Sequence, residues 1–249
     1  MSKELNHHSY ELRENSVRDV SASHNTKHNF SAIIFDMDGL VLDTEKTYCI
    51  AWQQASAEMG NKFTEEFCLS MSGLHYQDVE NKLLNACGAG FDLKVFSRLS
   101  GNYWHQYVNQ QGIPVKKGFY SVLARLNTME IPFCLATNSR LVNALECLKL
   151  AGLEDVFSTL ITRDDVKNGK PAPDIFLFAA ETLLTPISQC LVVEDSNTGI
   201  QAAAKADAIS VFIPSVFPVD LTTVDLADYF LNDLDELAQF IYSYPIHPV

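Results

Sequence analysis

Asp36 and Asp38 stand one residue apart at the end of an apolar run, and Gly39 follows them directly. Two carboxylates held this close repel each other, and such a pair is sustained by a bound cation or by dividing the work between a nucleophile and a proton carrier. The same pattern also serves in turns and helix caps, so other residues must decide. Three further polar groups follow apolar runs or lie beside them. Thr137, Asn138 and Ser139 come after residues 132–136; Glu194, Asp195 and Ser196 come after residues 190–193; Lys170 sits between them in the segment NGKPAPD. A hydroxyl, an amide and free backbone N–H groups at a helix start are what a phosphoryl group needs. Pro171 and Pro173 stiffen the chain around one ammonium, and a carboxylate at the end of a central strand can complete an oxygen-rich Mg²⁺ site. Each group alone is satisfied as a cap or a surface lysine. Four strand ends or adjoining loops with complementary chemistry favour a phosphate and metal site.

The elements that must position these residues alternate. Strand-like runs at residues 31–35, 132–136, 157–161, 190–193, 209–213 and 229–231 are separated by helical patterns. That rhythm predicts an α/β fold, a doubly wound, Rossmann-like parallel sheet with helices on both faces. In such sheets ligands bind beyond the carboxyl ends of the strands, where the polar groups stand. One interval breaks the rhythm. Residues 44–114 hold only helical segments, at 48–59, 64–71, 76–86 and 93–109, and are expected to form a small all-helical cap over the carboxylates. The α/β core would then comprise residues 30–43 and 115–249, with crossings near Gly39 and at Gly112, Ile113 and Pro114 as hinges. Residues 1–29 differ in composition. Lys3, Arg13, Arg18 and Lys27 balance Glu4, Glu11, Glu14 and Asp19, and His7, His8, His24 and His28 are irregularly spaced, which predicts a flexible tail.

With 249 residues, 47% of them hydrophobic, the chain can bury a substantial core. Because the N-terminal charges cancel, the net charge of −13 belongs to the remainder, and no Lys/Arg cluster suited to a nucleic-acid backbone is found. Six cysteines without CxxC spacing are expected to be reduced packing residues, which fits a cytoplasmic protein. No segment has the length of a membrane span, and the start lacks the apolar core of a signal peptide.

The segments DMDGLVLDTE, TNS, KPAPD and VVEDSNTGIQAA, in that order, resemble the four motifs of the haloacid dehalogenase superfamily over residues 30–237. The helical insert is similar to the cap of the subgroup that includes β-phosphoglucomutase and many sugar-phosphate phosphatases. The resemblance implies that Asp36 is the nucleophile and Asp38 the general acid/base. It implies that Thr137 and Lys170 hold phosphoryl oxygens, with Asn138 beside them, and that Mg²⁺ is bound by Asp36, the Asp38 main chain and Asp195, with Glu194 in support. The superfamily's dehalogenases lack the second aspartate, so Asp38 points to phosphoryl transfer. The stretch SMSGLHYQD has no Lys or Arg near Gly73, where the related mutases hold a second phosphate, and this favours hydrolysis; His75 is a candidate contact for the leaving group. The expected activity is a Mg²⁺-dependent phosphatase working through an aspartyl phosphate. β-Phosphoglucomutase-like transfer and a phosphate-accepting signalling or binding role are the alternatives. The expected partner is a small phosphorylated metabolite, with no nucleic acid or membrane, and the expected state is a monomer or weak homodimer.

Overall fold

Side chains alternate along each short central strand, so a strand buried on both faces must be apolar at every position. The computed structural model describes residues 18–19, 29–71, 74 and 76–243. In chain order its elements are β1 (Arg18–Asp19), β2 (Ala32–Phe35), α1 (Thr44–Glu58), α2 (Glu65–Leu69), α3 (Tyr76–Cys87), α4 (Leu93–Gln111), α5 (Phe119–Thr128) and β3 (Phe133–Ala136). There follow α6 (Leu141–Leu150), β4 (Leu160–Ile161), α7 (Asp174–Thr182), β5 (Cys190–Glu194), α8 (Asn197–Lys205), β6 (Ile209–Phe212), α9 (Leu221–Leu226), β7 (Tyr229–Phe230) and α10 (Leu234–Ser243).

The sheet order is β1-β7-β6-β5-β2-β3-β4. All neighbours from β7 to β4 are parallel, and only β1 joins its neighbour β7 antiparallel. The doubly wound parallel sheet expected from the alternation is therefore present. β2 lies between β3 and β5, and the chain winds outward from it in both directions, which makes its carboxyl end the switch point of the sheet. Ile33 and Phe35 of β2 enter one hydrophobic cluster with α5, α6 and α10; Ala32 and Ile34 enter another with α7 and α8. This two-sided burial fixes the strand's register, since a one-residue slip would exchange the faces.

Helices α1 to α4 lie between β2 and β3 and share a cluster that includes Cys68, Met71, Leu83 and Phe96. Their roots go deeper: Ala51 of α1 and Trp104 and Val108 of α4 pack into the main core. The connections into and out of these helices run side by side. The Asp43 N–H donates to the Pro114 carbonyl at 2.8 Å, and the Lys116 N–H donates to the Val41 carbonyl at 2.9 Å.

Most boundaries shift from the sequence reading by a residue or two, and three departures are larger. α1 starts at Thr44, four residues before the expected start, because Thr44 and Thr47 lie in the buried first turns. The strand expected at 157–161 shortens to Leu160–Ile161. Phe157 serves the core instead, stacked on Phe119 at 5.9 Å and edge-on to Phe133 at 5.7 Å. From the expected tail, Arg18–Asp19 pair with β7, while its four histidines lie outside the described residues. No helix among the described residues is long and apolar enough to cross a membrane.

Phe119 is 1% exposed, and its ring also meets Phe35 edge-on at 6.0 Å. Phe119→Ala is expected to cost about 3–5 kcal/mol by urea denaturation; a loss below about 1 kcal/mol would contradict the packing described.

Candidate active site

The backbone of β2 carries its ladder one residue past the strand, where the Asp36 N–H donates to the Val193 carbonyl at 3.0 Å. A tight turn follows, in which the N–H groups of Val41 and Leu42 both donate to the Met37 carbonyl, at 3.1 and 3.0 Å. Gly39 has φ of +88°, and a Cβ there would run into the Asp195 carboxylate and come within 3.2 Å of Ser215 Oγ. Glycine is thus required both for the turn and for the approach of β5's loop to β2's loop.

Lys170 is buried, and its ammonium has three partners. Nζ donates to Asp36 Oδ1 at 2.5 Å, to Glu194 Oε1 at 2.6 Å and to the Ala136 carbonyl at 2.8 Å. All three of its protons are therefore used. Burial opposes the charged form of Lys170, but Asp36 and Glu194 more than offset this and raise its pKa. The loop around Lys170 is clamped to the end of β3: the Lys170 N–H donates to Asn138 Oδ1 at 2.8 Å, and Asn138 Nδ2 donates to the Lys170 carbonyl at 3.1 Å.

The two aspartates face different surroundings. Asp36 is pushed well above the usual carboxylate range, mainly by burial, against the pull of Lys170. Asp38 Oδ2 accepts from Ser139 Oγ at 2.8 Å and from Thr137 Oγ1 at 3.3 Å. Glu194 Oε2 accepts from the N–H groups of Asp195 and Ser196 at 3.1 and 3.2 Å and from Ser196 Oγ at 2.9 Å. Gly199 is the close neighbour of that carboxylate, which a Cβ would strike.

Asp36, Glu194 and Asp195 each bring a carboxylate oxygen within 4.8 Å of the others. Asp195 is likewise pushed well up, by burial first and then by the charges of Asp36 and Glu194. With Asp38, four carboxylates stand around one ammonium, so negative charge is left over. An all-oxygen donor set with surplus negative charge fits a hard dication.

Asp36, Asp38, Thr137, Asn138, Lys170 and Asp195 line one side of a cavity of about 960 Å³ beneath α1, α3 and α4, while Glu194 lies buried behind them. Lys170 is the only Lys, Arg or His lining it among the described residues, whereas Glu45, Asp78 and Glu80 add acidity from the helical side. The structure therefore gathers Asp36, Asp38, Thr137, Asn138, Lys170, Glu194 and Asp195. The Asn138 side chain is directed to the Lys170 backbone, and His75 lies outside the described residues. Sequence reasoning did not assign roles to Ser139, Glu45 or Ser215, whose hydroxyl donates to Glu45 Oε1 at 2.9 Å. Ser215 follows β6, so extending the strand-end rule to that strand finds it.

A sequence model of the haloacid dehalogenase-like hydrolases matches residues 33–213. The chain belongs to that family. This haloacid dehalogenase-like hydrolase is 31% identical over 175 residues to the phosphorylated carbohydrates phosphatase of Thermotoga maritima, covering 70% of the chain and 81% of the relative. It is 26% identical to the β-phosphoglucomutase of Bacillus subtilis, covering 82% and 94% of the two chains. Among solved structures, a haloacid dehalogenase family hydrolase from Deinococcus radiodurans with bound phosphate and sodium is similar at a TM-score of 0.75 and 25% identity, covering 89% of this chain and all of that one.

Lys170→Met leaves Asp36 and Glu194 buried without their counter-charge, and is expected to lower stability by about 3–5 kcal/mol in urea denaturation at neutral pH. Adding Asp36→Asn to that variant removes one unpaired charge and should restore part of the loss. A single-variant loss below about 1 kcal/mol would contradict the ion cluster.

Proposed function

We propose that this haloacid dehalogenase-like phosphatase hydrolyses a small phosphorylated carbohydrate, with Asp36 as nucleophile and Asp38 as general acid/base. The observation that carries the reading is the unequal environment of the two aspartates. Asp36 shares its carboxylate with Lys170 inside the acidic cluster, whereas Asp38 is held by two hydroxyls at the cavity wall.

In the first step an Asp36 oxygen attacks phosphorus and the bond to the alcohol oxygen breaks. As the general acid, Asp38 gives a proton to that departing oxygen. In the second step Asp38 takes a proton from water, whose oxygen attacks phosphorus and breaks the bond to Asp36. Inorganic phosphate leaves, and both carboxyl groups return to their first states. Lys170 offsets the phosphoryl charge, and the Thr137 hydroxyl is within reach of the same region. Asp36, Asp195 and the Asp38 main-chain oxygen would hold Mg²⁺, which would neutralise phosphoryl oxygens and spread charge in the transition state. Glu194 supports that site by orienting Lys170 and the backbone of Asp195 and Ser196.

The similarity to a β-phosphoglucomutase favours a second reading, transfer to a second hydroxyl of the same sugar. The cavity's charges weigh against it: a substrate with two phosphates would meet one ammonium and several carboxylates on the described walls. Water is the better-supported acceptor. A cytoplasmic setting is part of the proposal, supported by six free cysteines, five of them buried.

Asp36→Asn is expected to lower phosphate release from sugar monophosphates by about 10³-fold or more, in a colorimetric assay with Mg²⁺. Wild-type rates in that variant would defeat the mechanism. Hexose phosphate isomerised without phosphate release would favour the mutase.

A further inference from the structure

Ser139 stands just before α6, which begins at Leu141, where a serine hydroxyl ordinarily caps the helix. It does not do so here. The residue that flanks α6 is Arg140, whose side chain makes no cap, and the Leu141 N–H donates at 3.0 Å to Asp164 Oδ2 from beyond β4. The hydroxyl left over from capping crosses to a residue 101 positions away in the chain: Ser139 Oγ donates to Asp38 Oδ2 at 2.8 Å. Ser139 also lines the active-site cavity, and the phosphoryl-transfer scheme above gives it no part.

The main chain of Ser139 is held from both sides, so that only χ1 is left to place the hydroxyl. Its N–H donates to Thr137 Oγ1 at 3.0 Å, and its carbonyl accepts from the Arg163 N–H at 3.0 Å. Asp38 receives a second hydrogen bond, from Thr137 Oγ1 at 3.3 Å, and this one also goes to Oδ2. No hydrogen bond among the described residues reaches Oδ1. The Thr137 hydroxyl has a single proton, and in the proposed reaction that proton turns to a phosphoryl oxygen. Ser139 is then the donor that stays on Asp38. A carboxyl group held through one oxygen keeps the other free to carry a proton into and out of the cavity.

We propose that Ser139 is the positioning residue for the acid/base step: it fixes Asp38 through Oδ2, so that Oδ1 gives the proton to the departing alcohol oxygen and later takes one from water. This rests on the phosphatase reading above. Ser139 itself neither gains nor loses a proton, and Asp38 alone moves it. The contribution of Ser139 therefore scales with the leaving group's need for a proton. A sugar alkoxide must be protonated as it departs, whereas acetate leaves acetyl phosphate as a stable anion. The ratio kcat/KM reports the steps up to transfer onto Asp36, so the attack of water that all substrates share does not enter it.

The test uses the full chain with Mg²⁺ and compares the best-used of glucose 6-phosphate, galactose 1-phosphate, ribose 5-phosphate and glycerol 3-phosphate with acetyl phosphate. Ser139→Ala is expected to lower kcat/KM for the alkyl ester by about tenfold or more, a loss at least about fivefold greater than for acetyl phosphate. Ser139→Thr, which keeps the hydroxyl, should recover most of that loss. If Ser139→Ala does not fold, Ser139→Cys replaces the hydroxyl by a weak donor of similar shape and should show the same unequal loss. Equal losses for the two substrates, or no loss, overturn the inference, because a role in folding or in phosphate binding touches both alike. A threonine variant as poor as the alanine one overturns it as well, and so does turnover of acetyl phosphate with no alkyl ester used at all. If the folded wild-type protein releases phosphate from none of these compounds, acetyl phosphate included, the phosphatase reading itself fails.

Discussion

The buried ammonium of Lys170 is the constraint on which the site's geometry depends. A charge this deep is costly unless it is paired and its hydrogen bonds are all made. Its three partners come from three places: Asp36 beyond β2, the Ala136 carbonyl at the end of β3, and Glu194 at the end of β5. These are β2 and its two immediate neighbours in the sheet. Satisfying one side chain therefore fixes the relative height of three strand ends. Asn138 then ties the backbone of Lys170 to the β3 loop, so the lysine cannot withdraw without breaking that clamp as well.

The same arrangement leaves a surplus of negative charge, and that surplus has a use. One ammonium pairs with two of the four carboxylates gathered here, and the imbalance lies at the switch point of a parallel sheet, where ligands are expected. A dication would correct the balance, and a phosphoryl group would then approach a site that is no longer strongly negative. Two glycines permit this density. Gly39 lets Asp195 come against the turn that follows Asp38, and Gly199 makes room for the Glu194 carboxylate at the start of α8. Side chains at either position would separate groups whose value depends on closeness.

The doubly wound sheet and most of the site were legible in the sequence because both follow from short-range patterns. Apolar runs marked the strands, and polar residues just beyond them marked the ligand edge. What escaped depends on three-dimensional placement. Phe157 looked like the start of a strand because it is aromatic, follows Val156 and precedes a Thr-Leu-Ile run by one residue, but it packs against Phe119 and Phe133 instead. The start of α1 was read too late because its first turn, Thr44 to Thr47, holds two threonines and two charged residues, which are ordinary at a cap and uninformative about burial. Thr44 and Tyr48 were not seen as cavity residues, because their place on the wall matters only once the helix is laid over the sheet. Asn138 fell in the expected cluster, yet its use of both amide atoms on the Lys170 backbone depends on a contact between residues far apart in sequence.

The central claim is that Lys170 and its neighbours prepare Asp36 to take a phosphoryl group. It is tested most directly by mixing the full chain with Mg²⁺ and acetyl phosphate, quenching in acid within the first turnover, and locating the covalent phosphate by peptide mass spectrometry. The account predicts phosphate on the peptide that contains Asp36, lost when residue 36 is asparagine and unaffected by exchange of the Lys117–Asp235 surface pair, 3.1 Å apart and remote from the cavity lining. Phosphate release without any phosphorylated Asp36 peptide, or a phosphate carried by another residue, would contradict it.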